Sequence, residues 1–152
     1  MKQIILCISL VIAIQISSIN AIAQKPSVDL LTPSNHALIL IDHESQMAFP
    51  VVNIAIESLR NNVGLIAGGS RIFKIPTLVT TVAEKSFSGP VFPEVSEFYT
   101  DKSRYIDRTT MNAWEDANAY KAIKTFNKKK LVIAGLWTSV CIVGCHCKTY
   151  QW

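Results

Sequence analysis

Residues 37–41 of this chain, Ala37-Leu-Ile-Leu-Ile41, are apolar at every position, and the run stops at a carboxylate, Asp42. A strand with one wet face alternates apolar and polar side chains; a strand without alternation is buried on both faces, as in a parallel sheet covered by helices. Thr77-Leu-Val-Thr-Thr-Val82, behind Pro76, supplies a second strand, and the same uninterrupted character returns further on at Leu131-Val-Ile-Ala134. Between the first two, residues 51–73 carry Ile54, Leu59, Val63, Ile66 and Ile72 near helical spacing, with Gly68-Gly69 weakening the later turns. A polar loop with Gly89-Pro90 and Pro93 follows the second strand, and a short strand is expected near residues 104–106. Residues 113–126 read as another helix with Trp114, Ala117, Tyr120, Ala122 and Ile123 on its inner side. The alternation predicts an α/β fold, a three-layer α/β/α arrangement on a mostly parallel, Rossmann-like sheet.

The amino terminus is set apart from that pattern. Lys2 precedes an apolar run from Ile4 to Ile14, a polar stretch, and Ala21-Ile-Ala23, which has the small residues a signal peptidase needs. The run is about half of the ~20 residues that cross a bilayer. Residues 1–23 are therefore expected to be a cleaved secretory signal, with residues 24–152 secreted or periplasmic and no stable membrane insertion. Of 152 residues, 49% are apolar and 17% charged, enough for one core. A formal net charge of +4, scattered apart from Lys128-Lys-Lys130, gives no nucleic-acid surface. Cys141, Cys145 and Cys147, the cysteines beyond the signal, are odd in number and clustered within seven residues, a poor disulfide framework.

In open parallel sheets ligands bind at the carboxyl ends of strands. That rule selects Asp42, the segment around Arg108, and the stretch from Trp137 to Cys141, where a strand passes through a glycine turn into a cysteine. A thiol becomes a nucleophile when a base, a cation or a helix terminus raises its thiolate fraction. Asp42 could take the proton and Arg108 hold the resulting charge. Each residue also has an ordinary explanation: Asp42 as a helix cap or turn residue, Arg108 as a surface ion-pair partner, Cys141 as a small core side chain. His43 and Glu44 beside Asp42 invite a metal reading, but three or four convergent ligands are needed and the pattern is not there. Asn112 and Trp114 could shape a pocket, though an aromatic on a helix's inner side is more often core.

Four segments carry a resemblance: Leu38-Ile-Leu-Ile-Asp-His43, Gly89-Pro-Val-Phe-Pro-Glu94, Arg108-Thr-Thr-Met-Asn-Ala-Trp-Glu-Asp116, and Lys129-Lys-Leu-Val-Ile-Ala-Gly-Leu-Trp-Thr-Ser-Val-Cys141. In this order and at these intervals the chain resembles the isochorismatase-like cysteine hydrolases, on their YcaC-type branch, over residues 30–143. The resemblance implies a catalytic aspartate, arginine and cysteine, here Asp42, Arg108 and Cys141, with Lys85 left to the loop surface. It also implies a cis peptide joining Trp137 and Thr138, which would aim the N–H groups of Val140 and Cys141 at an oxyanion. The implied activity is hydrolysis of a small amide or related C–N bond through a cysteine acyl-enzyme, without cofactor or metal. The substrate would be a small molecule, and relatives of this type are homo-oligomeric.

After the cysteine this chain reads Ile142-Val-Gly-Cys-His-Cys-Lys-Thr-Tyr-Gln-Trp152. Family members continue with further strands and helices, so the domain is expected to be incomplete after about residue 143, its tail from Gly144 out of frame. Two alternatives follow: an inactive remnant of such a hydrolase, or a tail that captures a soft metal through Cys141, Cys145, His146 and Cys147.

Overall fold

The computed structural model describes Ser27 and residues 30–142; the expected signal segment, residues 1–23, and the tail bearing Cys145, His146 and Cys147 lie outside the described residues. The fold is carried by the unit that begins at Leu31. Its sheet has four strands, β1 (His36–Ile41), β2 (Thr77–Val82), β3 (Ile106–Arg108) and β4 (Lys130–Gly135), in the order β3-β2-β1-β4. All three pairings are parallel, with Ile39 opposite Leu78 on one side and Ile133 on the other.

The side chains of β1 divide between two cores, as the twofold period of a strand requires. Leu38 and Leu40 join Val63 and Ala67 of helix α1 (Ile56–Ile72) on one face. Ile39 and Ile41 join Trp114, Ile123 and Cys141 on the other, the face covered by helix α3 (Ala117–Thr125). This is the expected three-layer α/β/α arrangement, and it explains why β1 has no polar residue after His36: every residue of the strand is buried.

Several boundaries and faces differ from the sequence expectation, beginning with α1, which starts at Ile56 and leaves Ile54 outside the helix. The third strand starts at Ile106 rather than ending there, because Ile106, Asp107 and Arg108 pair with Thr80, Thr81 and Val82 at the end of β2. The second long helix starts at Ala117, where the Asp116 side chain accepts the N–H groups of Asn118 and Ala119. Residues Ala113–Glu115 ahead of it form a separate 3-10 turn, closed by Asn112 accepting from Trp114 N–H. With the helix so framed, Ala119 and Ile123 face inward while Ala117 and Tyr120 are exposed. On α1, Val63, Ala67, Gly68 and Ser70 are buried, whereas Ile66 and Ile72 are exposed. Gly68 does not break the helix. A Cβ there would stand 2.9 Å from the Phe98 ring, so the glycine is what lets that aromatic lie against α1.

A short helix, α2 (Pro93–Ser96), packs on α1, and the Arg60–Glu94 ion pair (2.9 Å) joins them. At the other side of the sheet β4 is an edge strand among the described residues, every one of its positions half-buried despite its apolar sequence.

Candidate active site

The strand order reverses beside β1. From β1 the chain steps to β2 and β3 in one direction, then crosses back so that β4 lies on the opposite side of β1. Such a switch point opens a crevice at the carboxyl ends of the strands. Asp42 directly follows β1, and Cys141 lies in the wide π-type turn Thr138–Ile142 after β4. Three residues at this rim take left-handed backbone conformations without being glycine: Asp42 (φ 55), Ala83 (φ 53) after β2, and Trp137 (φ 56) after β4. Each such residue costs of order 1–3 kcal/mol and persists where the surrounding structure imposes it.

Asp42 and Arg108 meet across β2. Asp42 is fully buried and Arg108 is 1% exposed, and an Arg108 Nη2 hydrogen donates to Asp42 Oδ1 in a buried ion pair. The guanidinium is held from its other end by Nη1, which donates to the carbonyls of Thr110 (2.6 Å) and Met111 (2.9 Å). Nε is buried with no hydrogen-bond partner. Burial pushes the Asp42 carboxyl up, against the downward pull of Arg108 and of the Cys141 thiol, with Asp107 adding a smaller upward push. The thiol is thus close enough to act on the carboxyl, whose Oδ2 makes no hydrogen bond of regular geometry. Cys141 is itself fully buried. The three residues singled out in the sequence are therefore neighbours in space, drawn from the residue after β1, from β3 and from the turn after β4.

The close approach of β4 to β1 depends on Gly135. A Cβ at that position would stand 2.7 Å from the Ile41 carbonyl oxygen and 2.5 Å from Ile142 Cδ1. Any side chain would wedge the Cys141 turn away from Asp42.

The turn itself differs from the implied one. No peptide among the described residues is cis, so Trp137 and Thr138 are joined in trans, and the reversal is made by the left-handed Trp137 instead. The N–H groups of Val140 and Cys141 do not point at an open oxyanion position: both donate to the Trp137 carbonyl, at 2.9 and 3.0 Å. Trp137 is fixed in turn by its indole N–H, which donates to the Met47 carbonyl (2.9 Å).

Lys85 is exposed in the loop after β2, as expected, and Trp114 is a core residue with 5% exposure. His43 and Glu44 are both buried, and among the described residues no group of three His, Cys, Asp or Glu side chains could hold a metal ion. Burial lowers the His43 imidazole to about 4 and raises the Glu44 carboxyl to about 8. The depth of Glu44 was not visible in the sequence, where it entered only as a possible metal ligand beside Asp42. An open cavity of about 520 Å³ lies beside the rim, walled by Ser45, Gln46, Phe49, Pro50, Phe87 and Trp137; Asp42, Arg108 and Cys141 are not among its walls.

Residues 36–148 match the profile of the Isochorismatase domain. Over 119 residues the chain is 35% identical to the "Probable hydrolase YcaC" of Escherichia coli (strain K12), an alignment covering 78% of this chain and 56% of that protein. The crystal structure of the YcaC gene product from Escherichia coli, described as an octameric hydrolase of unknown specificity, superposes with a TM-score of 0.76 at 34% identity, covering 84% of this chain and 62% of the other. YcaC from Pseudomonas aeruginosa, solved with hexane-2,5-diol and covalent acrylamide, gives a TM-score of 0.76 at 30% identity, covering 84% and 63%. The chain thus spans less than two thirds of the length of these relatives.

Proposed function

The chain belongs to the isochorismatase family, on its YcaC-like branch, and from that premise we propose that it is a cysteine hydrolase acting on a small amide or related C–N bond. The observation that carries the reading is the buried Asp42 carboxyl, which faces both the Arg108 guanidinium and the Cys141 thiol at the switch point of the sheet. Asp42 takes the thiol proton, and Cys141 sulfur attacks the carbonyl carbon. Asp42 then returns the proton to the leaving nitrogen, and water hydrolyses the resulting thioester. A free thiol near 8.5 and a free aspartate near 3.9 are badly matched for that exchange. Burial of Asp42 narrows the gap, each unit of rise removing about 1.4 kcal/mol from the cost of moving the proton. Arg108 keeps the anionic carboxylate tolerable inside the fold.

The Pseudomonas relative with covalent acrylamide supports a small, amide-bearing electrophile as the kind of molecule this site takes. The test is ammonia release from a panel of small primary amides by the full chain and by Cys141→Ser. Release by the parent that disappears in the serine variant is the expected result, and release that survives the substitution would rule the assignment out.

A second reading, a chain that retains the fold without turnover, is favoured by one observation: the Val140 and Cys141 N–H groups are already committed to Trp137 O. It is distinguished by the same assay, since such a chain releases nothing from any amide. Self-association is also proposed, after the octameric E. coli relative, and Leu65, Ile72 and Phe73 offer the exposed apolar surface for it. Secretion through residues 1–23 is a further proposal, tested by fractionation and amino-terminal sequencing. No helix among the described residues is long and apolar enough to cross a membrane.

A further inference from the structure

Glu44 is the one buried carboxyl of the rim that the proposed chemistry leaves unused. It is fully buried, and its backbone pairs with Val91 in an isolated antiparallel bridge. Its Oε2 accepts the N–H of Val82, the last residue of β2, at 3.0 Å, while Oε1 is buried with no hydrogen-bond partner. One side chain thereby ties the segment after β1 to the end of β2, and its own backbone ties that segment to the loop before α2.

The charges around it have one sign. Those that act on Glu44 are Asp42 from the end of β1, Asp107 from β3 and Glu84 from the loop after β2, and each opposes a further negative charge. From β2 itself the contact is the uncharged Val82 N–H. Neither ion pair recorded among the described residues includes Glu44, and Arg108 is engaged with Asp42, Thr110 and Met111. A buried carboxylate with one hydrogen bond, one bare oxygen and only anions about it is unfavourable, whereas the neutral acid needs no counter-charge.

We propose that Glu44 is a positioning residue, held in the fold as the neutral acid, which fixes the ends of β1 and β2 around Asp42 and leaves Asp42 as the sole anion facing Arg108 and Cys141. Ionisation of Glu44 in alkaline solution places a second negative charge beside Asp42 and opposes formation of the Cys141 thiolate. The effect on Cys141 rests on the cysteine-hydrolase reading; the protonation of Glu44 does not. Burial and the neighbouring carboxylates bring this ionisation to about 8, within reach of a titration.

The experiment has two readouts on the full chain. The first is infrared difference spectroscopy from pH 6 to 10, following the carbonyl stretch of a protonated carboxylic acid. A band that titrates near pH 8 in the parent, persists in Asp42→Asn and is missing from Glu44→Gln is expected; a band unchanged by Glu44→Gln, or absent from both folded chains at pH 6, overturns the proposal. The second is the rate of acrylamide addition to Cys141, located by peptide mass mapping, as a function of pH. The ratio of the Glu44→Gln rate to the parent rate is expected to grow several-fold between pH 7 and 9.5, and a ratio constant with pH overturns the positioning role. A glutamine that merely loosened the fold would change the rate at every pH and leave the ratio flat. If Cys141 fails to react at any pH, the cysteine-hydrolase reading and the positioning role that depends on it are overturned, while the infrared band still decides whether Glu44 is the neutral acid.

Discussion

Arg108 reaches Asp42 from two strands away, and the pair is sealed from solvent: both side chains are fully buried, with the guanidinium anchored at its far end by the carbonyls of Thr110 and Met111. Such a pair contributes little over a well-packed apolar substitute, yet losing one partner leaves a buried charge without compensation, at about 3–5 kcal/mol. Arg108→Gln is therefore expected to lower stability by about that amount in urea unfolding. The double variant Arg108→Gln with Asp42→Asn should recover part of the loss, because no carboxylate is then stranded. A double variant no more stable than Arg108→Gln alone would contradict the pairing.

Stability should fall on both sides of a plateau as pH changes, for opposite reasons. His43 is held down to about 4 from an ordinary 6.5, so the unfolded chain takes up its proton first and stability is lost as pH falls from about 6.5 towards 4. Glu44 is held up to about 8 from an ordinary 4.5, so the unfolded chain gives up its proton first and stability is lost as pH rises from about 4.5 to 8. The two oppose each other where they overlap, and the range from 6.5 to 8 isolates Glu44. Across that range the melting temperature of the parent should drop more than that of Glu44→Gln; parallel curves would argue against a buried acid at this position.

Gly135→Ala tests the close approach of β4 to β1. The added methyl would meet Ile41 O at 2.7 Å and Ile142 Cδ1 at 2.5 Å, so the strand or the Cys141 turn has to move. Overpacking of this kind costs about 1–3 kcal/mol. A loss of that size together with slower modification of Cys141 is expected, and a variant with parent stability and parent reactivity would show that the approach is not needed.

Asp116→Ala serves as a comparison at a distance from the site. It removes the acceptor for the Asn118 and Ala119 N–H groups and should cost about 1 kcal/mol. Cys141 reactivity should stay at the parent level in the folded variant, and a large fall would mean that any loss of stability disturbs the rim.

Much of the fold could be read from residue order because β1 and β2 are buried on both faces, and β4, though half-buried at the sheet edge, carries the same unbroken apolar run without alternation. β3 could not be placed as well: three residues long, with Asp107 exposed in its middle, it owes its position to pairing with β2 rather than to its own pattern. Asp116 was a legible cap, and setting it as the helix start would have turned Tyr120 outward. At the site, Asp42, Arg108 and Cys141 were legible because each stands at or just beyond a strand's carboxyl end. The geometry of the turn was not, since a left-handed Trp137 leaves no mark in residue type. Nor was the burial of Glu44, which arises from the loop carrying Val91 folding over it.

The most direct measurement is the rate of acrylamide addition to Cys141 at mildly acidic pH, compared between the parent chain and Asp42→Asn, with the adduct located by peptide mass mapping to separate it from Cys7, Cys145 and Cys147. An Asp42 that accepts the thiol proton should give fast addition in the parent, well above an ordinary thiol at that pH, and a loss of at least tenfold in the asparagine variant, within the range general-base assistance supplies. Equal rates in the two folded chains, both at the level of an ordinary thiol, would contradict the assignment of Asp42 and Cys141 as base and nucleophile.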